Sequence, residues 1–297
     1  MRYLLIKVSD DKFVNDSLFC SNWKLVKLVP YCKFVDIKKT DKNIKILLED
    51  WLNELNLSSP SIEKYSVNDN ASNVIKAVKL SSQLKLERCS THTINLAVYD
   101  ALLGNKSVKN TAGKKISIKG VIRKSKVITR KTKKSPAMTK KLKFAARETG
   151  IKFVTLKQSN KTRWNSTHTN MDSVKKMKVP LNFLKGSDRE WSDLVFDSEE
   201  WDLVDAMTEI LEIPKRVSKA LEVDQDPNKH LVVKEMYNLQ EELKEFENDK
   251  NKPRITRNFA KLLGESFEAG NRFPNCGTNV QLHRFAHYLD PNMKGCL

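Results

Sequence analysis

The chain has 297 residues, 39% of them hydrophobic, enough for one large domain or two smaller ones around a real core. It has no apolar run long enough to cross a membrane, and Met1 to Val8 is too short for a secretory leader, so it reads as intracellular. The net charge of +18 is concentrated: Ala101 to Arg147 holds 13 Lys, 3 Arg and no acidic residue, a local +16, while the other 250 residues are near neutral.

In chain order, Leu4 to Val8 and Leu25 to Val35 are apolar or alternating and bounded by Asp, Asn and Pro, which predicts strands. Lys42 to Leu57 carries Ile44, Leu47, Leu48, Trp51, Leu52 and Leu55 at helical spacing, and Ser58 to Pro60 ends it. A strand over Ile62 to Val67, a helix over Ala71 to Leu80, a strand over Leu84 to Cys89 and a helix over Thr91 to Leu103 follow. Asn105 to Ala137 mixes Lys and Arg with Gly, Ser and Thr; self-repulsion and few apolar residues predict a disordered or long surface loop. From Met138 onward the pattern is helical. Glu199 to Leu221 is kinked or divided by Pro214, and His230 to Phe246, Asn258 to Ala269 and Val280 to Leu289 are further helices. The pattern predicts an α/β front joined to an all-α rear.

Five cysteines, Cys20, Cys32, Cys89, Cys276 and Cys296, include no C-x-x-C, and there is no C2H2 pattern, which argues against a disulfide framework or a zinc finger. His283 and His287 stand four apart, but Arg284 follows the first where the metalloprotease pattern needs Glu, so they read as a helix-surface pair. Trp23, Trp51, Trp191 and Trp201 read as core residues. The basic stretch is either a solvated loop or a surface for phosphate; +16 without one acid favours phosphate. Lys124 to Lys134 and Lys140 to Lys143 also resemble nuclear-import clusters.

Four motifs stand in order: Asn68-Asp69-Asn70-Ala71-Ser72-Asn73, Cys89-Ser90-Thr91-His92-Thr93-Ile94-Asn95-Leu96, Thr162-Arg163-Trp164-Asn165-Ser166-Thr167, and Leu289-Asp290-Pro291-Asn292-Met293-Lys294-Gly295. Together they resemble those of hAT-superfamily (hobo and Activator type) DNA transposases and the domesticated proteins derived from them. The resemblance implies a partial RNase H-like sheet domain over residues 1–104 and a helical insertion domain over 138–297, on either side of the basic loop that composition places at 105–137. It also implies Mg2+-dependent DNA cleavage and strand transfer by three carboxylates holding two metals.

Asp69 matches the second carboxylate of that set, and would equally serve as an N-cap for the following helix. The family's first Asp would fall at or before Met1, and Asp10, Asp11 and Asp16 lack its flanking residues. Its final Glu lies beyond the last motif, so the resemblance implies a chain truncated at both ends. The expectation is then a transposase-derived nuclear protein with non-specific DNA binding and no complete catalytic site; the alternative is a fragment of an active transposase. Arg163 and Trp164 are either a core Trp with a stacked Arg or, by resemblance, a DNA-facing pair. Lys124, Arg130, Lys131, Lys133 and Lys134 are the candidate phosphate contacts. Cys89 and His92 are too few for a zinc site; by resemblance they anchor the insertion domain or lie near the DNA end. The partners implied are the DNA phosphate backbone, other proteins or a full-length transposase, and no membrane.

Overall fold

Period-two strands and short amphipathic helices alternate in the front of the chain, and helix dominates the rest. The computed structural model describes residues 3–8, 13–21, 24–33, 38–60, 63–68, 71–160, 164–222 and 229–269. They fall into two units: those within 1–93 and 221–236, and those within 94–220 and 237–269.

In the first unit, β1 (Tyr3–Val8), β4 (Glu63–Asn68) and β5 (Lys85–Arg88) form a parallel sheet in the order β1-β4-β5, with Leu5 opposite Tyr65 and Tyr65 opposite Lys85. Strands β2 (Phe13–Ser21) and β3 (Lys24–Lys33) form an antiparallel hairpin with an irregularity between Asn15 and Ser17. Helix α1 (Asp41–Glu54) starts at Thr40, whose side chain accepts from the Asn43 amide, and buries Ile44, Leu48, Trp51 and Leu52. It ends before Asn56, which takes φ 53°, a left-handed conformation that Asn tolerates. The buried face of α1 joins Val74, Ala77 and Val78 of α2 (Ser72–Leu80) and Leu84 in one core. Partners in a parallel sheet point to the same face, and Lys85 Nζ accordingly sits 5.7 Å from the Tyr65 ring centroid.

Helix α3 (Ser90–Leu103) leads into the second unit. There the strands β6 (Ser107–Lys109) and β7 (Lys115–Ser117) make a hairpin. Its turn is closed by Asn110, whose side-chain oxygen accepts from the Lys114 amide, and by Gly113 at φ 82°. The helices α4 (Ile118–Lys134), α5 (Pro136–Glu148), α6 (Trp164–Lys175), α7 (Lys178–Ser187), α8 (Arg189–Ser192), α9 (Ser198–Ile210), α10 (Glu212–Leu221), α11 (Lys229–Asn248) and α12 (Arg254–Glu268) follow. Helix α4 packs on α5, α6 and α9, and α9 packs on α12. The division between α9 and α10 falls at Leu211. Pro214 sits in the first turn of α10, where its missing N–H has no intrahelical acceptor to lose. Trp191 and Trp201 are core residues here and Trp51 in the first unit; Trp23 and the stretch Val280 to Leu289 lie outside the described residues.

The basic segment is not a loop. Residues 107–134 form β6, β7 and α4, and α5 begins at Pro136. Burial outweighs repulsion. Ile118, Val121, Ile122 and Ile128 are each at most 2% exposed, worth roughly 1.5–3 kcal/mol apiece. Like charges one turn apart cost only about 0.2–0.5 kcal/mol per pair. Ser117 caps the N-terminus by accepting from the Gly120 amide, and Lys131, Lys133 and Lys134 fall in the last turn, where cations offset the helix dipole.

Candidate nucleic-acid interface

The buried face of α4 fixes what its other face shows. Ile118, Val121, Ile122, Ser125, Ile128, Thr129 and Thr132 point inward. Lys119, Arg123, Lys126, Arg130 and Lys133, spaced alternately four and three residues apart, therefore share the opposite side. The stripe runs roughly 21 Å along the helix axis at about 1.5 Å per residue. Lys119, Arg123, Arg130 and Lys133 are exposed and form no ion pair among the described residues.

The rotation of α4 is set by a polar clamp inside the unit. Ser125 Oγ donates to Asn170 Oδ1 at 2.8 Å, and Asn170 Nδ2 donates to Thr129 Oγ1 and to the Lys157 carbonyl, both at 2.7 Å. Ser173 Oγ accepts from the Lys157 amide at 2.9 Å, which holds the extended segment 151–160 against α6. Asn170 and Ser125 are fully buried and Thr129 nearly so.

Not every lysine of the basic segment is available. Lys124 Nζ is 2.6 Å from Glu200 Oε2 and 5.6 Å from the Phe196 ring centroid. Glu199 takes Lys114 and the Asn110 amide. Both acids belong to the first turn of α9, whose capping box joins Asp197 and Glu200. Lys141 pairs with Asp188 at 2.6 Å, which holds the Asp188 carboxyl below its ordinary range. Of the candidate phosphate contacts, Arg130, Lys131, Lys133 and Lys134 are exposed, whereas Lys124 is committed within the unit. Lys124→Gln is therefore expected to leave duplex affinity within about threefold of the parent, since it removes no free cation. Fluorescence anisotropy with a labelled duplex checks this.

Trp164, at the start of α6, is 2% exposed and packs in the core of the unit. Arg163 lies outside the described residues. Beyond the Trp, the motif works locally. Ser166 Oγ accepts from the Asn160 amide at 2.9 Å and donates to its carbonyl at 3.0 Å. Thr167 Oγ1 meets Ser159 Oγ at 3.0 Å.

His168, one turn along α6, is also buried. Its Nε2–H donates to the Thr208 carbonyl at 3.1 Å, and Nδ1 has no hydrogen-bond partner among the described residues. Burial, with Lys215 nearby, lowers its pKa, against the raising effects of the Thr208 carbonyl, Glu212 and Asp172. A buried neutral His gains its proton more readily on unfolding. Stability should be full above the unfolded pKa of about 6.5 and fall as pH drops through it, levelling below the folded pKa. Thermal melts at stepped pH check this: His168→Asn should lose that part of the slope.

In the first unit, the first two motifs meet at the carboxyl end of the sheet. The Cys89 amide donates to the Asn68 carbonyl at 2.9 Å, continuing the β4–β5 pairing, and the Cys89 carbonyl accepts from the amide and hydroxyl of Thr93. Cys89 is a free thiol, and Cys89 and His92 are half-buried. Asp69 follows Asn68 but lies outside the described residues, as do the fourth motif, His283 and His287. Among the described residues no three His, Cys, Asp or Glu side chains group as a metal site. Near this edge the buried Glu87 of β5 carries a carboxylate, the donor type a hard cation such as Mg2+ takes, while Asn68, Cys89 and His92 carry none.

Residues 87–210 match the ZBED1 RNase-like helical domain. The match covers less than half of the chain, from β5 through α9, and includes the second motif, the α4 stripe, the Asn170 clamp and the third motif. It supports a hAT-like, transposase-derived helical domain over this region. No curated protein matches the chain. Among the described residues no helix is long and apolar enough to cross a membrane.

Proposed function

We propose that this is a transposase-derived nuclear protein that grips the phosphate backbone of duplex DNA through α4, without reading sequence. The observation that carries it is the α4 stripe, a rigid row of cations on a helix whose other face is fully committed to the core. Lys and Arg aligned this way neutralise successive phosphates, a contact that carries affinity but no base information. The exposed Arg130, Lys131, Lys133 and Lys134 also suit recognition by an import receptor. Two duplexes of equal length and scrambled sequence should bind with the same affinity, within about twofold. A tenfold or larger difference in a competition assay would contradict backbone-only recognition.

In this reading the front unit is the remnant of an RNase H-like sheet and does no cleavage. What supports this is the composition of β1, the strand beside β4, which carries no Asp or Glu between Tyr3 and Val8. A second reading, a fragment of an active transposase, draws on the meeting of the first two motifs at one sheet edge. Mg2+-dependent nicking of a supercoiled plasmid, lost in Asp69→Ala, would establish that second reading and sink the first.

A further inference from the structure

Helix α5 presents a different surface from α4. Met138, Leu142, Ala145 and Ala146 are its buried face, so Lys140, Phe144 and Arg147 lie opposite, with Lys143 beside them. Phe144 is 49% exposed in the middle of this cationic row. The Arg147 guanidinium stands 5.3 Å from its ring centroid, and Lys143 Nζ lies 5.4 Å from the ring of Phe153. A solvated basic helix has no use for a half-exposed ring. An aromatic platform with an exposed cation on it has one ligand chemistry that satisfies both parts, a flat π system attached to an anion.

We propose that the exposed face of α5 is a binding site for single-stranded nucleic acid, in which an unpaired base stacks on Phe144. Arg147 then pairs with the flanking phosphate, a change its exposed side chain (75%) permits, since its present acid partner is the neighbouring exposed Glu148 at 3.3 Å. Lys140, one turn earlier, forms no ion pair among the described residues and meets the next phosphate. Duplex DNA does not fit this chemistry, because its base faces are already stacked on one another. Acidic peptides supply the charge without the π face. The site is separate from the α4 stripe and does not depend on it.

The test is anisotropy of a labelled short oligothymidine with the full chain, alongside a blunt duplex and polyglutamate. Phe144→Ala and Phe144→Leu should each weaken oligothymidine binding about 5- to 100-fold, the effect of losing one base–aromatic stack. Duplex affinity should stay within about twofold, because the phosphate contacts remain. Phe144→Trp should restore oligothymidine binding, with indole fluorescence quenched by the stacked base. Unchanged oligothymidine affinity in Phe144→Ala overturns the proposal. So does polyglutamate binding as tightly with the same sensitivity to Phe144. If the duplex fails to bind while Phe144→Ala weakens oligothymidine, the α4 reading falls and the α5 site stands.

Discussion

Charge reversal at Lys119, Arg123, Arg130 and Lys133 should remove duplex binding at physiological salt and flatten what binding remains against salt. Each cation that neutralises a phosphate contributes about 0.9 to the slope of log affinity against log salt, so four should account for a slope near −3.6. The corresponding loss of affinity at moderate salt is about a hundredfold or more, and the introduced carboxylates add repulsion. All four residues are exposed and free of ion pairs among the described residues, so the variant should fold. Surface substitutions of this kind usually change stability by no more than about 0.5 kcal/mol. An unchanged melting temperature with lost binding would assign the effect to the surface. Deleting the segment could not, because it would remove α4 and with it the core contacts of Ile118, Val121, Ile122 and Ile128.

Asn170→Ala should destabilise the helical unit by roughly 3–5 kcal/mol, as much as truncating a fully buried aromatic. It strands Ser125 Oγ and Thr129 Oγ1 in a region closed to water and takes a donor from the part-buried Lys157 carbonyl. Each buried polar group left unsatisfied costs about 1–3 kcal/mol, and the vacated volume adds a cavity cost. Replacing the whole clamp with apolar residues tests the cause. Ser125→Ala, Thr129→Val and Asn170→Leu together should recover much of the loss, because most of the stranded groups are gone. The combined variant should then melt above Asn170→Ala alone. If it melts lower, packing rather than polar satisfaction dominates the site.

The elements with apolar periodicity are legible in the sequence. Ile44, Leu48, Trp51 and Leu52 announce α1, and Trp201, Val204, Met207 and Ile210 announce α9, with bounds close to those observed. Strand β2 is not legible, because Asn15, Asp16 and Ser17 interrupt its alternation just where its pairing with β3 is irregular. Helix α4 is hidden for a different reason. Three of its seven inward positions are Ser125, Thr129 and Thr132, which look like loop residues until their hydrogen-bond partners are known. Two of those meet Asn170, and the third, Thr132, bonds back to the Ile128 carbonyl at 2.8 Å. The charge density of the segment is plain in the sequence, but which cations are free is not. Arg123 and Lys124 look equivalent there. Only the rotation of α4 and the position of Glu200 on α9 separate the neutralised lysine from the stripe. Likewise, nothing local to Trp164 in the sequence marks its ring as buried, and Phe144 belongs to no motif.

The proposed backbone binding rests on Lys119, Arg123, Arg130 and Lys133, exposed cations in a row on one folded helix. Its most direct test is the affinity of the unmodified chain for a labelled duplex, measured by anisotropy across a salt series. Four neutralised phosphates predict a linear log–log plot with a slope of about −3.6. A slope near zero, or no binding at the lowest salt, would contradict the claim and leave α4 as a solvated face.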